Sequence, residues 1–298
     1  MSKPAVRLVC LLAGALTLSC TACQAGQSRD AQRWTPAPIA TDQYESTPTF
    51  TPDGRELYFM LSDRRFQNFR LMWSRCEGGA WTAPQPVPFG APAPIIEADP
   101  FVTHDGRRLY FISARHDPHN EDFDIYFVER LPEGGWSEPE RLPEPVSSPG
   151  AELLPRADAT GRLWFGSNRP GGSGEGDIYT ATLQPGGSWR VENVGPPVST
   201  AHYEYEVEVS ADARTLVLVA NRGERSRLYR FEREGEGEAW VEREQIPGFR
   251  SVFQVGPLLS PRGDRLLFAQ ADEARSGEIY LIDLAAEPDR SWPPRCGV

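Results

Sequence analysis

The chain has 298 residues, with 28 prolines, 27 glycines, 39% hydrophobic residues and a formal net charge of −11. This length fits one large β domain or two ordinary domains, and it excludes a disulfide-stabilised miniprotein. Because proline and glycine break helices, and the 8 Trp, 9 Tyr and 14 Phe residues favour pleated surfaces, the composition predicts an all-β protein. The acidic balance argues against a nucleic-acid-binding protein, since contacts with phosphates need clustered cations.

The N-terminus has the three parts of a secretory signal, which are a basic start, an apolar run over residues 8–18 and the small residue Ser19. The next residue, Cys20, resembles the cysteine that is acylated in bacterial lipoprotein signals. We therefore predict a signal peptide over 1–19, a lipid on Cys20 and a small, polar tether over 20–31. A simple secretion signal cut near this position is the alternative. The lipid would hold an exported protein at the periplasmic side of a membrane or at the outer membrane.

Five copies of one pattern follow the tether. Each copy has a short alternating run, a tight turn and an aliphatic and aromatic run, and such runs around an Asp-Gly turn predict a β-hairpin. The five turns are centred on Asp53-Gly54, Asp105-Gly106, Thr160-Gly161, Asp212-Ala213 and Arg262-Gly263. The aligned copies are spaced by 52, 55, 52 and 50 residues, and they begin at Glu45, Glu97, Glu152, Glu204 and Gln254.

A third run follows each hairpin, and a segment with a tryptophan comes after the third run, which gives four strands per copy. Four-stranded units that repeat at this period predict a β-propeller, and we expect five antiparallel blades over residues 32–298. The ring is predicted to close by joining the two chain ends. Residues 32–40 and the segment around Trp292 both match the fourth-strand pattern, so the sequence leaves open which end supplies the closing strand.

The repeat also has a recognisable set of polar and aromatic residues. The best-matching copy is the second, which contains Pro100, Thr103, Asp105, Gly106, Tyr110, Phe111 and Asp124-Ile125-Tyr126. These residues resemble the TolB-like propeller repeat of bacterial envelope proteins, and the resemblance covers residues 45–283 in all five copies. It implies the propeller fold and says much less about function, since propellers host binding platforms, hydrolases and lyases alike.

Three cysteines, Cys23, Cys76 and Cys296, would remain as thiols in an exported chain, where disulfides form readily. The number allows one pair and one unpaired thiol. We favour the pair Cys76 and Cys296, because the first and last repeats meet if the repeats close into a ring.

Four copies carry a glutamate at the start of the first strand, and three copies carry an arginine just after the second strand. In a propeller both positions belong to the face where the first strands enter the central channel. The candidate binding residues at this channel mouth are Glu45, Glu97, Glu152, Glu204, Arg115, Arg169, Arg222 and His202. Such a rim would bind a cation, a sugar or a peptide. Alternatively, each glutamate pairs with an arginine or accepts backbone N–H bonds between blades, which fixes the angle between them.

The loop over residues 115–124 of the second copy collects histidine and carboxylate side chains. Imidazole with carboxylates suits zinc or manganese, and oxygens alone suit calcium. The candidate ligands of a divalent cation are His116, Asp117, His119 and Asp122. A solvated acidic loop without an ion is the alternative.

The sequence contains no Gly-x-Ser-x-Gly nucleophile motif, and we assign no catalytic residue. We expect a monomeric, non-enzymatic binding or scaffolding propeller of the bacterial cell envelope, which recognises a protein or a glycan through the face with the channel mouth and binds no nucleic acid. The alternative is a carbohydrate-active enzyme, either a glycoside hydrolase or a metal-dependent lyase, that uses channel-mouth carboxylates such as Asp99. Two carboxylates that are not bonded to arginine and face each other across an open pocket would favour the enzyme.

Overall fold

The computed structural model describes residues 30–117, 119–223, 225–248, 253–270 and 277–297. The predicted signal peptide, Cys20 and most of the predicted tether lie outside these ranges. Within the described ranges the chain forms five antiparallel sheets that follow one another along the sequence, so the predicted five-bladed β-propeller is confirmed. No element in these ranges is a helix with the length and hydrophobicity that a bilayer span requires.

The strands follow the chain in the predicted order. The first ten are β1 (Gln32–Arg33), β2 (Tyr44–Phe50), β3 (Glu56–Ser62), β4 (Arg70–Glu77), β5 (Ala80–Trp81), β6 (Gln85–Pro86), β7 (Glu97–Val102), β8 (Arg108–Ser113), β9 (Asp124–Glu129) and β10 (Glu140–Arg141). The others are β11 (Glu152–Ala157), β12 (Leu163–Ser167), β13 (Asp177–Leu183), β14 (Trp189–Asn193), β15 (Tyr203–Val209), β16 (Thr215–Asn221), β17 (Ser226–Glu232), β18 (Val241–Gln245), β19 (Gln254–Leu259), β20 (Arg265–Gln270) and β21 (Glu278–Asp283).

Each blade is one sheet of consecutive strands, except where the ring closes. Blade 1 contains β2 to β6, with its outer edge split between β5 and β6, and blades 2, 3 and 4 contain β7 to β10, β11 to β14 and β15 to β18. Blade 5 has the order β19, β20, β21 and β1. Gln32 pairs with Leu281, and Arg33 pairs with Tyr280. The N-terminal segment therefore supplies the closing strand, whereas Trp292 packs into an apolar cluster of blade 5.

Apolar side chains fill the spaces between neighbouring blades. Between blades 1 and 2, Tyr58 packs with Phe111, and between blades 3 and 4, Trp164 packs with Phe231. All four side chains are almost completely buried. Since each core is shared by two blades, one blade alone would leave an apolar face in water, and the ring is the unit that folds.

The hairpin turns are held by short polar contacts that the sequence pattern encodes. Thr51 Oγ1 donates to Asp53 Oδ1 at 2.6 Å, and Gly54 follows in a left-handed conformation with φ 67°. A glycine adopts this conformation without a steric penalty. In the fourth blade Ala213 occupies the same position with φ 52°, so its Cβ is strained where the other blades carry glycine.

A disulfide bond joins Cys76 of β4 to Cys296, across a separation of 220 residues. The favoured pairing is thus confirmed, and it ties the C-terminal segment to blade 1 beside the closing point of the ring. A crosslink over so long a loop removes many conformations from the unfolded chain.

We expect the Cys76→Ser variant to lose about 2–5 kcal/mol of unfolding free energy, because its unfolded chain is no longer closed into a loop. Urea denaturation measures this loss. A reducing agent should destabilise the native protein by a similar amount and leave the variant unchanged. Equal stability of the two proteins under oxidising conditions would contradict the expectation.

Candidate functional site

The four predicted glutamates lie at the junctions between blades. The backbone N–H of Glu152 donates to the carbonyl of Phe123 in the preceding blade at 2.7 Å, and Glu97 makes the same bond to Phe69 at 3.2 Å. Glu204 and Glu45 bond in this way to the blades before them as well. All four side chains are buried, so each glutamate belongs to the joint between its blade and the one before it.

The carboxylates of these glutamates hold the loop that leads into each first strand. Glu152 accepts bonds from the N–H and the hydroxyl of Ser148, at 3.1 and 2.6 Å, and Glu204 accepts the equivalent bonds from Thr200, at 2.8 and 2.6 Å. Three of the four glutamates have a serine or threonine four residues earlier, which is a sequence signal for this loop. These contacts agree with the alternative given in the sequence analysis, in which the glutamates fix the angle between neighbouring blades.

Two of the three predicted arginines reach the glutamate of their own blade. Arg115 Nε donates to Glu97 Oε1 at 2.7 Å, and Arg169 donates to Glu152 Oε1 at 2.9 Å. Arg222 instead pairs with Glu242 of its blade at 2.7 Å. His202 lies exposed in the loop before β15. The binding role of these residues stays a prediction, and the structure places their charges mostly in closed pairs.

Burial changes the proton affinity of two of these glutamates. It raises the pKa of Glu45 to about 7, although bonds from Thr41 oppose the shift. It raises the pKa of Glu152 to about 8, where Ser148 and Arg169 oppose the shift and the adjoining carboxyl of Asp124 in blade 2 adds to it.

A second set of charged side chains lies in the centre of the ring. In each first strand, the residues two and four positions after the aligned Glu or Gln are buried in this central region. The second position holds Thr47, Asp99, Leu154, Glu206 and Gly256, and the fourth holds Thr49, Phe101, Arg156, Glu208 and Leu258. Apart from Asp99, the sequence analysis missed the charged members of this set, although stepping along the aligned repeats by two residues would have found them.

Arg156 spans the centre of the ring. Its guanidinium donates to Glu208 Oε2 of the next blade at 2.5 Å and to the carbonyl of Pro257 at 3.1 Å. Pro257 belongs to blade 5, which does not neighbour blade 3, so this bond crosses the channel. Burial raises the pKa of Glu208 to about 7, and Arg156 opposes the shift.

The other two central carboxylates bind backbone N–H groups of the following blade. Asp99 accepts from Leu154 at 3.1 Å, and Glu206 accepts from Gly256 at 2.7 Å. Burial raises the pKa of Asp99 to about 6 and that of Glu206 to about 8, and repulsion from Asp99 adds to the second shift. These side chains are only 6% and 8% exposed. They form a carboxylate pair, but they lie closed inside the ring.

The 115–124 loop brings together two of the four predicted metal ligands. His116 Nε2 lies 3.3 Å from Asp122 Oδ2 and 2.7 Å from Oδ2 of Asp124, the first residue of β9. Asp117 instead caps the loop by accepting backbone N–H bonds from three residues, which lowers its pKa to about 2. His119 is exposed. The histidine and carboxylate cluster of this loop is therefore His116, Asp122 and Asp124.

The cluster lies in the wall of a polar cavity of about 660 Å³ between blades 2 and 3, which we call the blade 2–3 cavity. Three segments of the channel-mouth face form it, namely the 115–124 loop, the loop before β11 and the loop after β12. Its lining residues are His116, Asp117, Glu121, Asp122, Pro149, Gly150, Ala151, Asn168 and Pro170. Most of them differ from the residues at the corresponding points of other blades, as a specific binding site requires, whereas Pro149 and Asn168 match Pro94 and Asn221.

Comparison with known proteins identifies the fold class. No protein-family model matches the chain, and no curated protein matches it in sequence. Among solved structures, it is similar to Zg3597, a family 117 glycoside hydrolase from Zobellia galactanivorans, with 12% identity and a TM-score of 0.57 over 90% of this chain and 94% of that one. It is similar to an α-L-arabinofuranosidase from Lactobacillus brevis, with 14% identity and a TM-score of 0.50 over 80% and 90% of the two chains.

A periplasmic gluconolactonase from Pseudomonas aeruginosa, PpgL, is similar with 15% identity and a TM-score of 0.46 over 78% of this chain and 70% of that one. At such identities the likeness shows a propeller fold alone, since one propeller fold supports many unrelated functions.

Proposed function

We propose that the chain is an exported, monomeric binding propeller of the bacterial cell envelope, anchored by a lipid on Cys20, and that its ligand is a neutral or amino-sugar glycan held in the blade 2–3 cavity. The observation that carries the proposal is this cavity, because it lies on the channel-mouth face and most of its lining residues vary between blades. The anchor rests on the signal-like sequence before Cys20.

The size and the chemistry of the cavity favour a glycan over a protein. A volume of about 660 Å³ lies within the usual range of a small-molecule site. Carboxylate, imidazole and amide groups in the lining can accept and donate hydrogen bonds to sugar hydroxyls. The carboxylates of Asp117 and Glu121 would repel an acidic glycan and attract an amino sugar.

Isothermal titration of the full-length protein in detergent tests this proposal with neutral, amino-sugar and uronic-acid oligosaccharides. We expect binding of one of the first two classes and none of the third. The Glu121→Lys variant places a cation in the cavity and should weaken binding by about tenfold or more. Glu133→Lys, which lies in an exposed turn on the opposite face, is the matched control and should bind normally. No binding by any class, or equal weakening by both variants, would contradict the proposal.

The carbohydrate-active enzyme remains the second candidate, because the raised pKa values of Asp99 and Glu206 resemble those of a general base and a general acid. Their burial argues against it, since a substrate must touch both groups. Analysis of the same titration samples for hydrolysis products distinguishes an enzyme from a binding protein. Turnover that is lost in Glu206→Gln would replace the binding proposal with the enzyme.

A further inference from the structure

The His116, Asp122 and Asp124 cluster has the arrangement of a metal site. One ligand atom from each side chain can be chosen so that all three lie within 4.8 Å of one another. Ligands that share a metal ion of about 2.1 Å bond length are separated by no more than about twice that length, so small adjustments would bring the three atoms onto one ion. The cluster is also supported by rigid backbone, because Asp124 pairs with Ser113 in the sheet and Asp117 caps the loop.

A separate observation points to a missing ligand. The side chain of Asp124 is 0% exposed, and no N–H or hydroxyl group of the described residues donates to its Oδ1, although the carboxyl of Glu152 adjoins this carboxylate. The other oxygen, Oδ2, already contacts His116 and accepts a bond from Arg141 at 2.5 Å. Because both oxygens belong to one carboxylate, Oδ1 lies beside the cluster. Asp122 Oδ1 is likewise buried without a partner in the described part of the chain. Leaving such oxygens unbonded costs free energy that a cation would recover.

We propose that the chain binds one divalent transition-metal ion, zinc or manganese, through His116 Nε2 and the carboxylates of Asp122 and Asp124. The donor set decides the class of ion, since an imidazole nitrogen with two carboxylates suits zinc and manganese, and calcium prefers six to eight oxygens. Arg141 takes the role of an outer partner that orients Asp124 through Oδ2 and leaves Oδ1 for the ion.

The site opens toward the blade 2–3 cavity, because His116 and Asp122 also line that cavity. Three protein ligands leave coordination positions for water or for a sugar hydroxyl. The ion thus deepens the proposed function by giving the glycan a metal contact, and in this respect it rests on that proposal. The ion itself is tested separately, with metal alone as the probe.

The test uses tag-free, full-length protein in detergent, stripped with a chelator and titrated with Zn²⁺, Mn²⁺ and Ca²⁺. We expect one equivalent of Zn²⁺ or Mn²⁺ to bind and to raise the melting temperature, with much weaker binding of Ca²⁺. His116→Ala and Asp122→Asn should each weaken binding by about tenfold or more. His119→Ala removes an exposed histidine of the same loop and should bind as the native protein does.

Two results would overturn the ion proposal. One is the absence of binding by Zn²⁺ and Mn²⁺, and the other is binding that His119→Ala weakens as much as His116→Ala. Addition of Co²⁺ to the stripped protein gives a second readout, because its visible spectrum reports nitrogen and oxygen ligands and should change in His116→Ala. Metal binding without glycan binding would contradict only the proposed function. Glycan binding that persists after the metal is stripped would show that the glycan does not contact the ion.

Discussion

Replacing Arg156 by methionine is expected to lower the free energy of unfolding by about 3–5 kcal/mol. The guanidinium is completely buried and bonds Glu208 and two backbone carbonyls. Its charge also favours the ionised forms of Asp99 and Glu206. Methionine has a similar length but no charge, so the buried carboxyl groups of Asp99, Glu206 and Glu208 would lose the cation that favours their ionised forms. Urea denaturation at pH 7 measures the loss.

Arg107→Met is the matched control, because that side chain is 85% exposed and faces Asp105 only at 3.8 Å. We expect it to change the stability by no more than about 0.5 kcal/mol. In thermal unfolding the Arg156 variant should melt lower by about 2–4 °C for each kcal/mol lost. A loss below about 1 kcal/mol for Arg156→Met would mean that water reaches the centre of the ring and solvates the carboxylates.

The fold was predictable because its signals are local and occur five times. The Asp-Gly turns reappear as hairpins in which Thr51 and Asp53 close the turn, and Ala213 retains the left-handed conformation without the glycine. Closure was harder to predict, since residues 32–40 and the Trp292 segment share one pattern. The structure shows that the N-terminal segment closes the ring, because β1 pairs with β21. The backbone hydrogen bonds of an edge strand depend on where the strand lies in the ring as well as on its composition.

The candidate site was only partly predictable, because its contacts join residues that are distant in sequence. The repeat positions of Glu97 and Arg115 placed both residues on the channel-mouth face, and the pair that they form there is one of the two arrangements that the sequence left open. The aligned Arg222 forms no such pair with Glu204 and instead contacts Glu242 on the outer strand of its own blade. The position of a residue in the aligned repeats determines where its Cα atom lies in the blade. The residues of the neighbouring strand determine which charged group its side chain contacts.

The metal cluster shows a similar division. Residue type identified His116 and Asp122, but the fate of Asp117 depended on backbone N–H groups that turn toward it in the folded loop. Asp124 ends the 115–124 loop and was not among the four candidate ligands, but as the first residue of β9 it directs its side chain to His116. The blade 2–3 cavity had no sequence signal, since the 115–124 loop and Asn168 are brought together only by the packing of two blades.

The stability of the propeller is expected to fall as the pH rises from about 5 to about 8. Burial raises the pKa of Glu206 to about 8, of Glu208 to about 7 and of Asp99 to about 6, so the folded protein retains protons that the unfolded chain releases near pH 4. Glu45, with a pKa of about 7, acts in the same direction. Stability falls with pH wherever the folded state binds more protons, and it levels off above the folded pKa. Melting temperatures across pH 4.5 to 8.5 measure the trend.

Glu206→Gln isolates the central carboxylates from other titrating groups. The amide oxygen of glutamine can still accept the bond from Gly256, and the side chain carries no charge at any pH in this range. The variant should match the native protein near pH 5 and exceed it near pH 8, because ionisation of Glu206 beside Asp99 no longer opposes folding. Between pH 5 and 7, the unfolding free energy of the variant should fall less steeply with pH than that of the native protein. The difference in slope should be up to about 1.4 kcal/mol per pH unit, which corresponds to one proton.

Exposed Glu133 provides the control, since Glu133→Gln changes the net charge of the chain equally and should keep the native pH dependence. Asp105 and Asp117 have lowered pKa values, so their titration changes the stability only below about pH 4, outside the range of pH 5 to 8. Equal slopes for Glu206→Gln and Glu133→Gln would show that the central carboxylates are already ionised at pH 5. Arg156 and the backbone N–H groups would then compensate their burial fully.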